Sequence, residues 1–141
     1  MTDPTLQILI GLLAVVAMMA GLWLVQRKTG NAGIVDVGWS AGVGMLGVFF
    51  AITSDGDPLR RAVVGTMIAL WSARLAVYLF LTRVWRQAEE GRYVELREKW
   101  GERAQRELFF FFQTQAAVAV LFALPVLVVA HRDAPGLSGW D

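Results

Sequence analysis

Four apolar blocks separated by short polar or charged stretches constrain this chain more than any other feature. They run over Leu6–Gln26, Ile34–Ile52, Ala62–Leu81 and Leu108–Ala130. Each is about 20 residues long, enough for a helix rising about 1.5 Å per residue to cross the ~30 Å hydrocarbon layer of a bilayer. Charged residues make up only 18% of the sequence, where a soluble domain carries about a quarter. Because the apolar residues are gathered into blocks, the excess reads as membrane spans rather than a rich core. The first block is expected to be a retained helix rather than a cleaved leader: Asp3 precedes it, no Lys or Arg does, and the run is too long. The expected fold class is all-α, a single polytopic domain over 1–141 with four transmembrane helices and an amphipathic connection between the third and fourth.

The polar intervals carry the topology. "TSDGDP" after the second block is a turn signal, and "HRDAPGLSGWD" after the fourth has a loop composition. Arg27 and Lys28 follow the first block. Arg83, Arg86, Arg92, Arg97, Lys99, Arg103 and Arg106 fill the third connection. If all four blocks cross, these two basic connections share one side. The positive-inside rule then places them in the cytoplasm, with the amino terminus outside a plasma (inner) membrane.

Several chemistries are excluded. A net charge of +1 gives no basic field for nucleic acid. With no cysteine there is no disulfide, thiolate metal site or Cys nucleophile. The sequence has no HExxH and no P-loop, and no G-x-G-x-x-G that follows a strand. The single histidine, His131 beside Arg132, reads as a solvated loop residue, and no metal site is expected.

What remains is a set of polar residues inside the blocks. Asp36 opens the second span within "NAGIVDVGWS", after Asn31. Arg74 lies nine residues before Arg83, about 13 Å from the charged edge, and Tyr78 is one turn nearer that edge on the same face. Gln113 and Gln115 fall in the first turns of the fourth span but point to different faces. All lie toward the cytoplasmic half, and the outer half shows no equivalent set. A buried charge is costly in hydrocarbon, so Asp36 and Arg74 are expected to face each other in a polar pocket open to the cytoplasm. The glycines of "GWSAGVGMLG" are read as sites of close helix packing. In the third connection, Tyr93, Leu96 and Trp100 keep 3- and 4-residue spacing, which predicts a short amphipathic helix on the membrane surface. Trp85 and Tyr93 are read as interfacial belt residues.

The fragments "NAGIVDVGWS", "LWSARLAVYLFLTR", "RYVELREKWG" and "FFFFQTQA" occur in that order over residues 31–115. Together they resemble the amino-terminal half of bacterial membrane proteins of the steroid 5-alpha-reductase family. The resemblance implies NADPH-dependent reduction of an enone in a lipid-like or steroid-like substrate taken from the bilayer. It implies catalytic roles for Asp36 and Tyr78, a substrate pocket including Trp39, Arg74 and Gln113, and NADPH as the cofactor. The family's His-Pro-Asn-Tyr nucleotide motif has no counterpart here, since His131 is followed by Arg132 and Asp133. The nucleotide-binding half is therefore expected to be absent and the isolated chain inactive. The alternative class is a non-catalytic four-helix membrane protein, or a small proton-coupled transporter working as a homo-oligomer with Asp36 as coupling carboxylate.

Overall fold

Paired Asp-Pro steps set where two of the long helices begin. Asp3 accepts a hydrogen bond from the Thr5 amide at 2.9 Å and Pro4 takes the first helical position of α1 (Pro4–Thr29). Asp57 accepts from the Arg60 amide at 2.9 Å and Pro58 opens α3 (Pro58–Leu79). In each case the side chain satisfies an orphan amide, and proline supplies a preset φ where no amide is needed. The computed structural model describes residues 3–133; the expected loop over 134–141 lies outside them. Gly30 ends α1 in the left-handed conformation, φ 72°, and its amide closes on the Gln26 carbonyl at 2.8 Å. α2 runs over Ile34–Thr53. α3 passes into one π-helical turn, Phe80–Val84, before the surface helix α4 (Gly91–Trp100). A 3₁₀ turn at Gly101–Arg103 leads into α5 (Ala104–Ala130).

Four helical segments are long and apolar enough to cross a membrane, and no strand occurs among the described residues. The expected multi-pass all-α class holds. Two boundaries move. The third helix begins at Pro58 rather than Ala62, because the Asp57 cap lies outside the apolar block. The fourth begins at Ala104 rather than Leu108, because the break falls at Gly101, φ 56°, and not at the charged residues after it.

α2 is the centre of the bundle and packs on α1, α3 and α5. Its core span is 56% buried, against 6% for α3, so α3 is a peripheral helix with one buried seam. Small residues make that seam. A Cβ on Gly44 would overlap the Ser72 side chain, and one on Gly47 would fall 2.7 Å from Ile68. Ser72 donates its hydroxyl proton to the Ser40 carbonyl at 2.7 Å, a polar stitch between close-packed backbones. The packing role read for these glycines is the observed one.

The end of the bundle away from the basic connections corrects two expectations. Gln7, fully buried, donates to Thr53 Oγ1 at 2.6 Å and to Ser54 Oγ at 3.1 Å. Its carbonyl oxygen meets His131 Nε2 at 2.7 Å. The Gly56 amide donates to the Ala130 carbonyl and the Asp57 amide to the Arg132 carbonyl, both at 2.9 Å. This end thus has its own polar set, and His131 is part of it rather than a solvated loop residue. Its members come from three separate helix ends, which sequence order alone does not bring together.

Candidate functional site

Asp36 lies in the first turn of α2, at the basic end of the bundle. Arg83 Nη1 donates to its Oδ2 at 3.0 Å and to Glu90 Oε2 at 2.7 Å. The Tyr93 hydroxyl donates to Asp36 Oδ1 at 3.0 Å and accepts from Arg92 Nη2 at 2.7 Å. A second arm ties the α1–α2 turn to the same connection. Arg97 forms a two-point pair with Glu89, at 2.7 and 3.0 Å, and also donates to Gln26 Oε1 at 2.7 Å. Glu89 accepts from the Ala32 amide, and Asn31 donates to the Arg83 carbonyl at 3.0 Å. Three carboxylates, Asp36, Glu89 and Glu90, are thereby matched by three arginines, Arg83, Arg92 and Arg97. Such a network is closed: each charge already has its partner.

Tyr93 holds α4 down. The expected amphipathic helix exists, but Tyr93 is not a belt residue; it is fully buried, edge-on to Phe111 at 6.1 Å. Burial, reinforced by the charge of Asp36, pushes its phenol above the ordinary tyrosine range, so it stays protonated and donates. The 3- and 4-residue spacing through Tyr93, Leu96 and Trp100 is the signal that points this residue inward.

Arg74 is elsewhere. Trp71, Arg74, Leu75 and Tyr78 share one face of α3 and line a lateral cleft of about 320 Å³. Arg74 and Tyr78 are exposed on the flank of the bundle, and Arg74 has no carboxylate partner among the described residues. Trp39 of α2 packs edge-on to Trp71 with ring centres 6.4 Å apart, and edge-on to Phe122 at 5.3 Å. Its buried indole N–H has no acceptor among the described residues. A helical side chain leans toward its helix N-terminus, so the Arg74 stem leans away from the basic end and toward the middle of the span. Snorkelling would have to reverse that direction.

The expected Asp36–Arg74 contact is therefore absent, and the reason is angular. Arg74 and Arg83 are nine residues apart, at about 100° per residue in α3 and less through the π-helical turn that holds Arg83, which sets them on different faces. Arg83 faces α2 and takes Asp36; Arg74 faces out. The same arithmetic separates the glutamine from the cleft. Gln113 Nε2 donates to the Val16 carbonyl of α1 at 3.3 Å, while Phe122, nine residues on, packs on Trp39. The structure brings Trp39, Arg74 and Tyr78 into one neighbourhood with Trp71, and it does not bring Asp36 or Gln113 into the cleft. Gln113 serves as a strut between α1 and α5, with its carbonyl oxygen buried and without a partner among the described residues.

Residues 22–141 match the DUF1295 family, described as a protein of unknown function. The chain belongs to that family. No curated protein and no solved structure matches it.

Proposed function

We propose that this chain carries the substrate-binding side of a membrane reductase of the steroid 5-alpha-reductase type, acting on a conjugated enone in a lipid-like molecule. The observation that carries the reading is Arg74: a cation with no carboxylate partner among the described residues, on the flank of a transmembrane helix, in a cleft walled by Trp71, Leu75 and Tyr78. A cation at that depth is costly unless a partner or a polar ligand meets it. A lateral cleft with apolar and aromatic walls suits a flat, apolar molecule arriving from the bilayer. Arg74 and Tyr78 lie one turn apart, so a guanidinium and a phenol can both donate to one carbonyl oxygen. Those donors draw electron density from the enone and stabilise the enolate oxygen that forms when its β-carbon accepts a hydride. Trp39 and Trp71 set the orientation of the ring system beside them. Asp36 acts as a positioning residue that pins the π turn and α4 at the basic end, which this reading places in the cytoplasm of a plasma-membrane protein.

This reading places no nucleotide in the Arg74 cleft. The cleft offers one cation, whereas the phosphates of NADPH need several convergent donors. The reading gives this chain the carbonyl-holding role and derives no hydride step from its own residues. The test is NADPH oxidation in membranes carrying the product of the native locus. Oxidation that depends on added 3-oxo-4-ene steroid and disappears in Arg74→Met supports the reading; oxidation unchanged by Arg74→Met rejects it. Orientation is tested separately, in a chain with no cysteine of its own, by labelling Gln87→Cys and Asp55→Cys in intact cells. Position 55 is expected to label and position 87 not.

A further inference from the structure

A second lateral pocket, unconnected with Arg74, lies at the basic end between α1 and α5. Its volume is about 450 Å³ and it is lined by Trp23, Arg27, Gln105, Arg106, Phe109 and Phe110. The two helices build it in the same way. On α1, Arg27 lies one turn beyond Trp23 toward the basic end; on α5, Arg106 lies one turn beyond Phe109 and Phe110 in that direction. The pocket therefore has two arginines at its basic-end rim and three aromatic rings on the side toward the bilayer interior. A phospholipid in the leaflet at that end has the same polarity gradient, head to tail.

The aromatic body is held in place. Trp23 Nε1 donates to the Gln105 carbonyl at 2.8 Å, and its ring meets Phe109 edge-on at 5.2 Å. The Gln105 side-chain oxygen accepts from Gln26 at 2.7 Å, so both oxygens of Gln105 are already used. The charges are not used in this way. Arg27 has no carboxylate partner among the described residues, and its guanidinium lies over the Trp23 ring, 5.0 Å from the centroid. Arg106 makes a single 3.4 Å contact with the adjacent Glu107 and remains 62% exposed, leaving most of its donors open. This differs from the Asp36 network, in which every arginine has an acid at hydrogen-bond distance or close to it.

We infer that the Trp23–Arg27–Arg106–Phe110 pocket binds the headgroup of an anionic phospholipid from the leaflet at the basic end, with an acyl chain lying along Phe109 and Phe110. Charge complementarity selects the occupant. Arg27, with no carboxylate partner among the described residues, and Arg106, held by one 3.4 Å contact, suit a phosphodiester, whose oxygens accept charge-assisted hydrogen bonds. The exposed Phe110 suits an acyl chain rather than a water-soluble anion. Basic recesses between transmembrane helices at the membrane surface hold acidic headgroups for these reasons. The inference does not depend on the reductase reading, since none of these residues touches the Arg74 cleft.

The test is native mass spectrometry of the full chain in detergent, offered equal amounts of dioleoyl-phosphatidylglycerol and dioleoyl-phosphatidylcholine. One retained phosphatidylglycerol is expected, preferred on the order of tenfold, with the preference lost in R27Q/R106Q and kept in R86Q. Equal retention of the two lipids, or a preference that survives R27Q/R106Q, overturns the proposal. A second measurement needs no variant: raising the salt during lipid exchange should weaken the preference of the unaltered chain, and an unchanged preference counts against the proposal. Displacement of the lipid by millimolar glycerol phosphate would show a site for soluble anions and also overturn it.

Discussion

Asp36 and Arg74 are the two charged residues that the sequence places inside membrane-spanning blocks, and the structure treats them in opposite ways. Asp36 faces inward and is shared between Arg83 and Tyr93, with Arg92 close by. Arg74 faces outward and has no carboxylate partner among the described residues. The contrast separates a charge that builds the protein from one left for something outside the described chain. A closed network contributes position and stability. In the proposed function, the open cation beside an aromatic cleft contributes binding. The two should therefore respond to substitution along different axes, stability for the first and ligand affinity for the second.

The largest expected effect removes the frame that both regions share. Gly44→Leu drives a side chain into Ser72 and parts α3 from α2. A loss of about 3 kcal/mol or more is expected in a detergent unfolding titration. If Gly44→Leu leaves stability unchanged, the close seam that fixes Arg74 and Arg83 on different faces is wrong. Asp36→Asn comes next. It leaves Arg83 with Glu90 but weakens its hold on α2, and about 2 kcal/mol of stability should be lost. Arg74→Met should leave stability within about 0.5 kcal/mol, as for an exposed position with no partner to lose. Equal losses in the two variants would break the comparison.

Smaller effects sharpen it at Tyr93. Tyr93→Phe deletes the hydrogen bond to Asp36 while keeping the buried ring, and about 1 kcal/mol is expected, read as faster amide exchange across α4. The pH dependence is smaller still within the usable range. The folded phenol titrates above the unfolded one, so its contribution is complete below the ordinary tyrosine pKa of about 10 and is lost as pH rises beyond it. Exchange of α4 amides should accelerate above that pH in the unaltered chain, and Tyr93→Phe should lack this extra acceleration.

Much of this arrangement was legible in the sequence. The four blocks gave the spans, because hydrophobic length is a one-dimensional property. The Gly-rich face of the second block gave the seam, and the Tyr93–Leu96–Trp100 spacing gave α4. Pairing was less legible. Asp36 and Arg74 looked like partners because both are charges within spans, yet Asp36 is matched by Arg83, at the end of the third block's helix, and by α4. The interval from Arg74 to Arg83, with its π-helical turn, held the answer, since it places the two on different faces. Nothing local could pair Gln7 with His131, residues joined only when helix ends converge at the far side of the bundle. The orphaned indole of Trp39 behind the cleft was invisible for the same reason: an unpartnered donor is a property of three-dimensional surroundings.

The central claim is that the open cation, and not the closed acid, meets the substrate. Difference infrared spectroscopy of a 3-oxo-4-ene steroid bound to the purified chain tests it without requiring turnover. The carbonyl stretch of the bound steroid should fall below its value in detergent alone, because two donors polarise the bond. The lowering should persist in Asp36→Asn and vanish in Arg74→Met. A carbonyl band that does not move on binding, or one restored by Asp36→Asn while Arg74→Met leaves it lowered, would contradict the account.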